Sequence, residues 1–215
     1  MNLHRIEGSP EWQQVSPQKR NGWQKVAAAT RGVVTIGNFF SLLGLLSVPA
    51  GLWLVLGRQA YLMGAAVFVL GRLCDVADGW LADRTGTKSP LGETVDATFD
   101  KVGTGATLIG LAAGGTVPLA LISLFFVPHL TIALIVLAAY VLKRRTHPSQ
   151  AGKLSTGFGW AFVIVAVVAT GADHASAGDM VAAGLWVLAF VLAAISCILG
   201  AVALLGYARD FLEAK

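Results

Sequence analysis

The chain has 215 residues, 55% of them hydrophobic and only 13% charged, with a formal net charge of +4. Soluble globular domains carry nearer a quarter charged residues, so this composition excludes an ordinary soluble globule and points to an integral membrane protein. The basic balance suits anionic lipid; without a basic patch interleaved with aromatics outside the apolar stretches, no nucleic-acid partner is expected.

In chain order, residues 1–32 come first. Trp12, Trp23 and the scattered Lys and Arg predict an interfacial amphipathic helix on the inner leaflet, with a plain polar tail as the alternative. No short apolar core precedes a small-residue cleavage site, so a removable signal peptide is not expected. Apolar stretches at 33–56, 60–81, 91–113, 117–142, 154–172 and 180–207 then reach the roughly 20 residues that cross about 30 Å of hydrocarbon. The third is the weakest by hydropathy. The expected fold is an all-α polytopic membrane protein with six transmembrane helices over 33–207 and a tail at 208–215.

Cationic loops set the orientation, because Lys and Arg near helix ends stay on the cytoplasmic side. Arg5, Lys19, Arg20, Lys25 and Arg31 precede the first span, Arg84 and Lys88 follow the second, and Lys143, Arg144, Arg145 and Lys153 lie between the fourth and fifth. The opposite loops hold only Arg58. Both termini, and the ends of the second and third spans that meet at 82–90, are therefore expected on the cytoplasmic side of the inner membrane. Cys74 and Cys197 have no metal-like spacing and read as small core residues.

Those cytoplasmic ends carry Asp75-x-x-Asp78-Gly79-x-x-Ala82 and Gly92-x-x-x-Asp96-x-x-x-Asp100. A carboxylate within a membrane helix is costly unless it faces a wet cavity, a cation or a partner. In a helix Asp75 and Asp78 share a face with Gly71, Gly79 and Ala82 on or beside it; Gly92, Asp96, Asp100 and Gly103 repeat the pattern on the third span. The two stripes can face each other as a carboxylate box open to the cytoplasm. Oxygen ligands without His or Cys favour Mg²⁺, Mn²⁺ or Ca²⁺, and four carboxylates can hold two such ions. Paired cations and a carboxylate base suit in-line displacement at a phosphate or pyrophosphate. An ion-coupled transporter is the competing reading, since intramembrane acids also relay protons or cations.

The stretch DVADGWLADRTGTKSPLGETVDATFD resembles the signature of the CDP-alcohol phosphotransferases, D-x-x-D-G-x-x-A-R-x(8)-G-x-x-x-D-x-x-x-D. Thr35-x-x-Asn38-x-x-Ser41 entering the first span and Gly152-Lys153-x-x-Thr156 entering the fifth extend the resemblance. It implies that Asp75, Asp78 and Asp96 ligate a pair of Mg²⁺ or Mn²⁺ ions. It gives Asp100 two roles, ligand and base for the acceptor hydroxyl. It implies that Gly79, Ala82 and Gly92 are the small positions against which the cytidine nucleotide packs. The implied reaction joins a polar alcohol to the lipid-side phosphate of CDP-diacylglycerol and releases CMP; a homodimer is the implied assembly.

One position departs from the signature: its arginine is Asp83 here, with Arg84 one place on, about 100° further round the helix. Arg84 reads either as a contact to the nucleotide phosphates or as a solvated loop cation, and Asp83 admits a catalytically silent lipid-binding relative. Lys153, Arg144 and Arg145 suit a phosphate-bearing acceptor or serve only the positive-inside bias. Asn38 is a nucleotide contact or a helix–helix hydrogen bond. His129 beside Pro128 predicts an irregular point in the fourth span, while His147 and His174 read as loop residues. The acceptor hints conflict: Gly-Lys-x-x-Thr and Asp100-Lys101 favour the phosphatidylglycerophosphate and cardiolipin side, Tyr140 to Arg145 the inositol-phosphate branch.

Overall fold

Asn21 starts the first regular helix with a reciprocal cap. Its side chain accepts from the Gln24 N–H at 2.8 Å while the Gln24 side chain accepts from the Asn21 N–H at 3.1 Å. Helix α1 then runs over Gly22–Ala29. Its predecessors are two short 3₁₀ turns, Glu11–Gln13 and Pro17–Lys19, tied together by the Arg20 guanidinium, which donates to the carbonyls of Trp12 and Val15. Trp12 is buried and Trp23 exposed. The computed structural model describes residues 10–88, 90–141, 150–175 and 178–213; the side chains of 11, 90–101, 136, 137, 139–141, 210 and 213 lie outside the described set.

Among the described residues six long helices follow: α2 Ile36–Leu52, α3 Tyr61–Thr85, α4 Pro90–Ala113, α5 Leu119–Val141, α6 Gln150–His174 and α7 Asp179–Glu213. No strand occurs among the described residues. Three stretches are long and apolar enough to cross a membrane, Ile36–Gly57, Gln150–His174 and Asp179–Arg209, with shorter apolar runs at Val102–Ala113 and Leu119–Ile135. Together with outward-facing Phe39, Leu46, Leu62, Leu70, Val76 and Leu205, they mark a membrane protein.

Helix ends differ from expectation in instructive ways. α2 carries Pro49, which has no N–H for the preceding turn, and beyond Leu52 the chain widens into a π turn at Trp53–Gly57. α3 continues a turn past the expected end at 81. It closes at Gly86 (φ 64°), with Gly86 N–H on the Asp83 carbonyl and Thr87 N–H on the Ala82 carbonyl, the bond pattern of a Schellman cap. Residues 208–213, read as tail, prolong α7. His174, read as a loop residue, is instead the last residue of α6, its ring bonded to the Thr170 carbonyl and the Tyr61 hydroxyl. His147 lies outside the described residues.

The chain divides into two compact units, Met1–Trp53 with Ala66–Thr107, and Leu54–Ala65 with Leu108–Lys215. In the first, the buried stripe of α2 is Gly37, Ser41, Gly44, Val48 and Gly51, a four-three spacing of mostly small residues. Gly44 and Gly71 bring the backbones of α2 and α3 together: a Cβ on either would sit 3.3–3.4 Å from the other's carbonyl oxygen. α4 meets the same stripe where Gly103 faces Val48. Small residues at such crossings replace the hydrophobic drive that helices lack in lipid.

The second unit packs α6 along α7 and α5 against α7. Phe125 of α5 fills the space left by Gly159, and Phe162, Val167, Ala189 and Ala193 are fully buried. Ser155 and Ser196 exchange hydroxyl-to-carbonyl bonds of 2.6 and 2.7 Å across α6 and α7. The expected irregularity at Pro128 does not interrupt α5. The His129 ring lies 2.8 Å by Nδ1 from the Phe125 carbonyl, so Nδ1 carries the proton, and Nε2 faces the Ser155 and Thr156 hydroxyls. Cys74 and Cys197 are half-buried free thiols.

Candidate active site

The acidic-motif residues of α3 are positioned by α2. Thr35 caps α2 by accepting from the Asn38 N–H at 3.0 Å, and the Asn38 side-chain amide donates to the carbonyls of Gly32 and Val33. Asn38 thus closes the turn into the helix. In the same first turn, a Cβ at Gly37 would lie 3.3 Å from the Asp78 carbonyl oxygen and 3.4 Å from the Ala82 Cβ, so glycine there lets α2 lie directly on the motif. The next turn brings Ser41, whose hydroxyl donates to Asp78 Oδ2 at 2.6 Å.

Asp78 is only 4% exposed and Ser41 3%. Among the described residues no ion pair reaches Asp78; its partner is the neutral Ser41 hydroxyl. A buried ionised carboxylate with one neutral donor is poorly compensated, and a cation is the natural complement. Asp75, half-buried on the same face, pairs with Arg72 one turn earlier at 3.1 Å.

Past Asp78 the helix opens outward. Gly79 is exposed, and a Cβ there would meet nothing within 4 Å. Ala82 is half-buried against Gly37. Asp83, at the signature's arginine position, points to Lys88 and pairs with it at 3.1 Å. Arg84 belongs to the last turn of α3 rather than a loop and lies over the exposed Trp80 ring, 4.8 Å from its centroid. α1 braces this end: the Asn21 side chain donates to the Thr85 carbonyl at 2.9 Å and Gln24 to that of Gly86 at 3.3 Å.

Asp75, Asp78, Gly79, Ala82, Arg84 and Asn38 therefore gather at one end of the α2–α3 pair. Gly92, Asp96 and Asp100 fall on successive turns of α4, and their side chains lie outside the described residues, as do Arg144 and Arg145 entirely. Lys153 is exposed in the first turn of α6, in the second unit. No group of three or more His, Cys, Asp or Glu side chains converges among the described residues. The donor chemistry present, two carboxylates on one face, fits a hard divalent cation.

Two contacts escaped the sequence reading. Arg72 stands three residues before Asp75, a helical pairing distance, and an arginine inside an apolar span was signal enough to find it. Ser41 was part of a quoted segment, but its bond to Asp78 depends on how α2 crosses α3, which one-dimensional spacing does not encode.

Fold and site together define an all-helical membrane protein whose acidic motif sits on a glycine-lined helix pair. Residues 34–202 match the family model of the CDP-alcohol phosphatidyltransferases, and the chain belongs to that family. It is also similar to a CMP-forming cardiolipin synthase of Streptomyces coelicolor (strain ATCC BAA-471 / A3(2) / M145), with 31% identity over 130 residues. That alignment takes in 58% of this chain and 59% of the relative's length. No solved structure matches the chain significantly.

Proposed function

We propose that the protein transfers a phosphatidyl group from CDP-diacylglycerol to a polar alcohol with release of CMP, and that the acceptor is phosphatidylglycerol, giving cardiolipin. The observation that carries this reading is the buried Asp78, held by Ser41 beside Asp75 in a chain of this family. The acceptor rests on the cardiolipin synthase relative.

In this reading Asp75, Asp78, Asp96 and Asp100 would hold divalent cations, Mg²⁺ or Mn²⁺, which supply neutralising charge to the pyrophosphate oxygens. The chain's own groups do the rest. Asp100 takes the proton of the acceptor hydroxyl as its oxygen bonds to the lipid-side phosphorus, and the bond from that phosphorus to the CMP oxygen breaks. The open space at Gly79, with Ala82 and Gly92, admits the nucleotide. Arg84, Lys153, Arg144 and Arg145 bind phosphate oxygens, and Asn38 shapes the mouth through its turn. The lipid tails stay in the bilayer beside the apolar faces of α2 and α3.

The same reading places six spans at residues 33–207 in the inner membrane, with both termini and the site cytoplasmic and residues 1–32 on the inner leaflet. It also makes the functional unit a homodimer, testable by light scattering in detergent. The deciding assay follows CMP release by purified protein in liposomes with CDP-diacylglycerol, Mg²⁺ or Mn²⁺, and separately phosphatidylglycerol, glycerol 3-phosphate or inositol phosphate. Metal-dependent release with phosphatidylglycerol is expected, with Asp100→Asn lowering it by about 10²–10⁴-fold, the usual contribution of a positioned base. Release with another acceptor alone overturns the cardiolipin assignment; silence with all of them overturns the activity.

A further inference from the structure

The Ser41 hydroxyl has one proton and two acceptors in reach, the Gly37 carbonyl at 3.3 Å and Asp78 Oδ2 at 2.6 Å. The shorter, charge-assisted bond takes it. Asp78 has no competing partner among the described residues, and both side chains are buried, so the carboxylate rotamer is fixed from the neighbouring helix. The bond uses one lone pair of Oδ2 and sets the carboxylate plane, which leaves Oδ1 the freer oxygen for a cation and disfavours symmetric two-oxygen chelation. Small octahedral cations such as Mg²⁺ and Mn²⁺ take carboxylates one oxygen at a time, whereas Ca²⁺ at higher coordination number often takes both.

We propose that Ser41 is a positioning residue of the cation site: it holds Asp78 in one orientation with Oδ1 as the freer oxygen and thereby sets both the affinity of the site and its preference for small divalent cations over Ca²⁺. This rests on the divalent-cation reading above and deepens it, because it assigns cation choice to a hydroxyl on α2 that acts through Asp78. Hydrogen bonds to ligating carboxylates are worth about 10–100-fold in metal affinity.

The test is Mn²⁺ binding to the full-length protein in detergent, read by the electron paramagnetic resonance of free Mn²⁺, with Ca²⁺ as competitor. Wild type is compared with Ser41→Ala, Ser41→Cys and Ser41→Thr. Ala and Cys are expected to weaken Mn²⁺ by about tenfold or more and to narrow its advantage over Ca²⁺, while Thr, which keeps the hydroxyl, stays near wild type. Elution volume and melting temperature certify folding; if Ala unfolds, Cys, close to serine in size and a weak donor, carries the comparison. Mn²⁺ affinity and preference within about twofold of wild type in a folded Ala or Cys variant would overturn the role, whatever happens to melting temperature. If wild type itself binds no Mn²⁺, the cation reading falls and this inference with it.

Discussion

Arg72 and Asp75 make an ion pair of 3.1 Å on the site face of α3, each about a fifth to a quarter exposed. An arginine inside an apolar helix is unfavourable by about 2.5–3.5 kcal/mol at mid-bilayer on insertion scales, so its place beside a proposed cation ligand calls for a compensating role. The pair gives Asp75 a positive neighbour whether or not a divalent cation is present. Replacing Arg72 with Met should make stability depend on cation. In EDTA the Arg72→Met protein is expected to melt below wild type, since Asp75 loses the Arg72 charge; with saturating Mn²⁺ the gap narrows, because Asp75 freed from Arg72 binds the cation more tightly and the variant therefore gains more from binding than wild type does. Melting curves with and without Mn²⁺ check this, and equal gaps in both would remove the charge-balancing role. The two aspartates themselves were legible from spacing alone. Their partners were less so: Arg72 could have been found at i−3, whereas Ser41 needed the α2–α3 crossing.

At the scale of elements, glycines on one helix, α3, do two different jobs, and substitution separates them. A Cβ at Gly71 would run into the Ser47 side chain and crowd the Gly44 carbonyl at 3.4 Å, and Ser47 is already bonded to that carbonyl at 2.6 Å. Gly71→Val should therefore push α2 off α3 and lower stability by about 1–3 kcal/mol, the usual range for overpacking. A Cβ at Gly79 meets nothing within 4 Å. Gly79→Ala should leave the melting temperature unchanged or slightly raised, since alanine is favoured over glycine in a helix by about 1 kcal/mol. CMP release should nonetheless fall if nucleotide packs there. Thermal melts beside the release assay decide: loss of stability at Gly79, or none at Gly71, would reverse the assignment. The same contrast shows what hydropathy could report. Helix positions were readable because apolar length sets them, but the end of α3 depends on the left-handed Gly86, and the 3₁₀ turns before α1 depend on Arg20 bonding two carbonyls, neither of which has an apolar period.

For the whole molecule, the number of crossings decides on which side the chain ends. Among the described residues, only Ile36–Gly57, Gln150–His174 and Asp179–Arg209 meet a strict standard of length and apolarity. α3 contains Arg72, Asp75, Asp78, Asp83 and Arg84, and α4 contains Glu93, Asp96, Asp100 and Lys101, so the residues that make the proposed site are the ones that depress hydropathy there. Both helices are still long enough to span: 25 and 24 residues reach roughly 36 Å at 1.5 Å each. Six crossings keep both ends of the chain on the side of the basic loops; three crossings by the strictly apolar helices alone would send the C-terminus across. A reporter fused after Lys215 separates the two. Green fluorescent protein there should fluoresce and alkaline phosphatase there should be inactive, while phosphatase inserted after Gly115, between α4 and α5, should be active. An active phosphatase after Lys215 would mean an odd number of crossings or a chain inverted relative to its basic loops. The α2–α3–α4 motif would then no longer be confined to the cytoplasmic surface by the argument from charge.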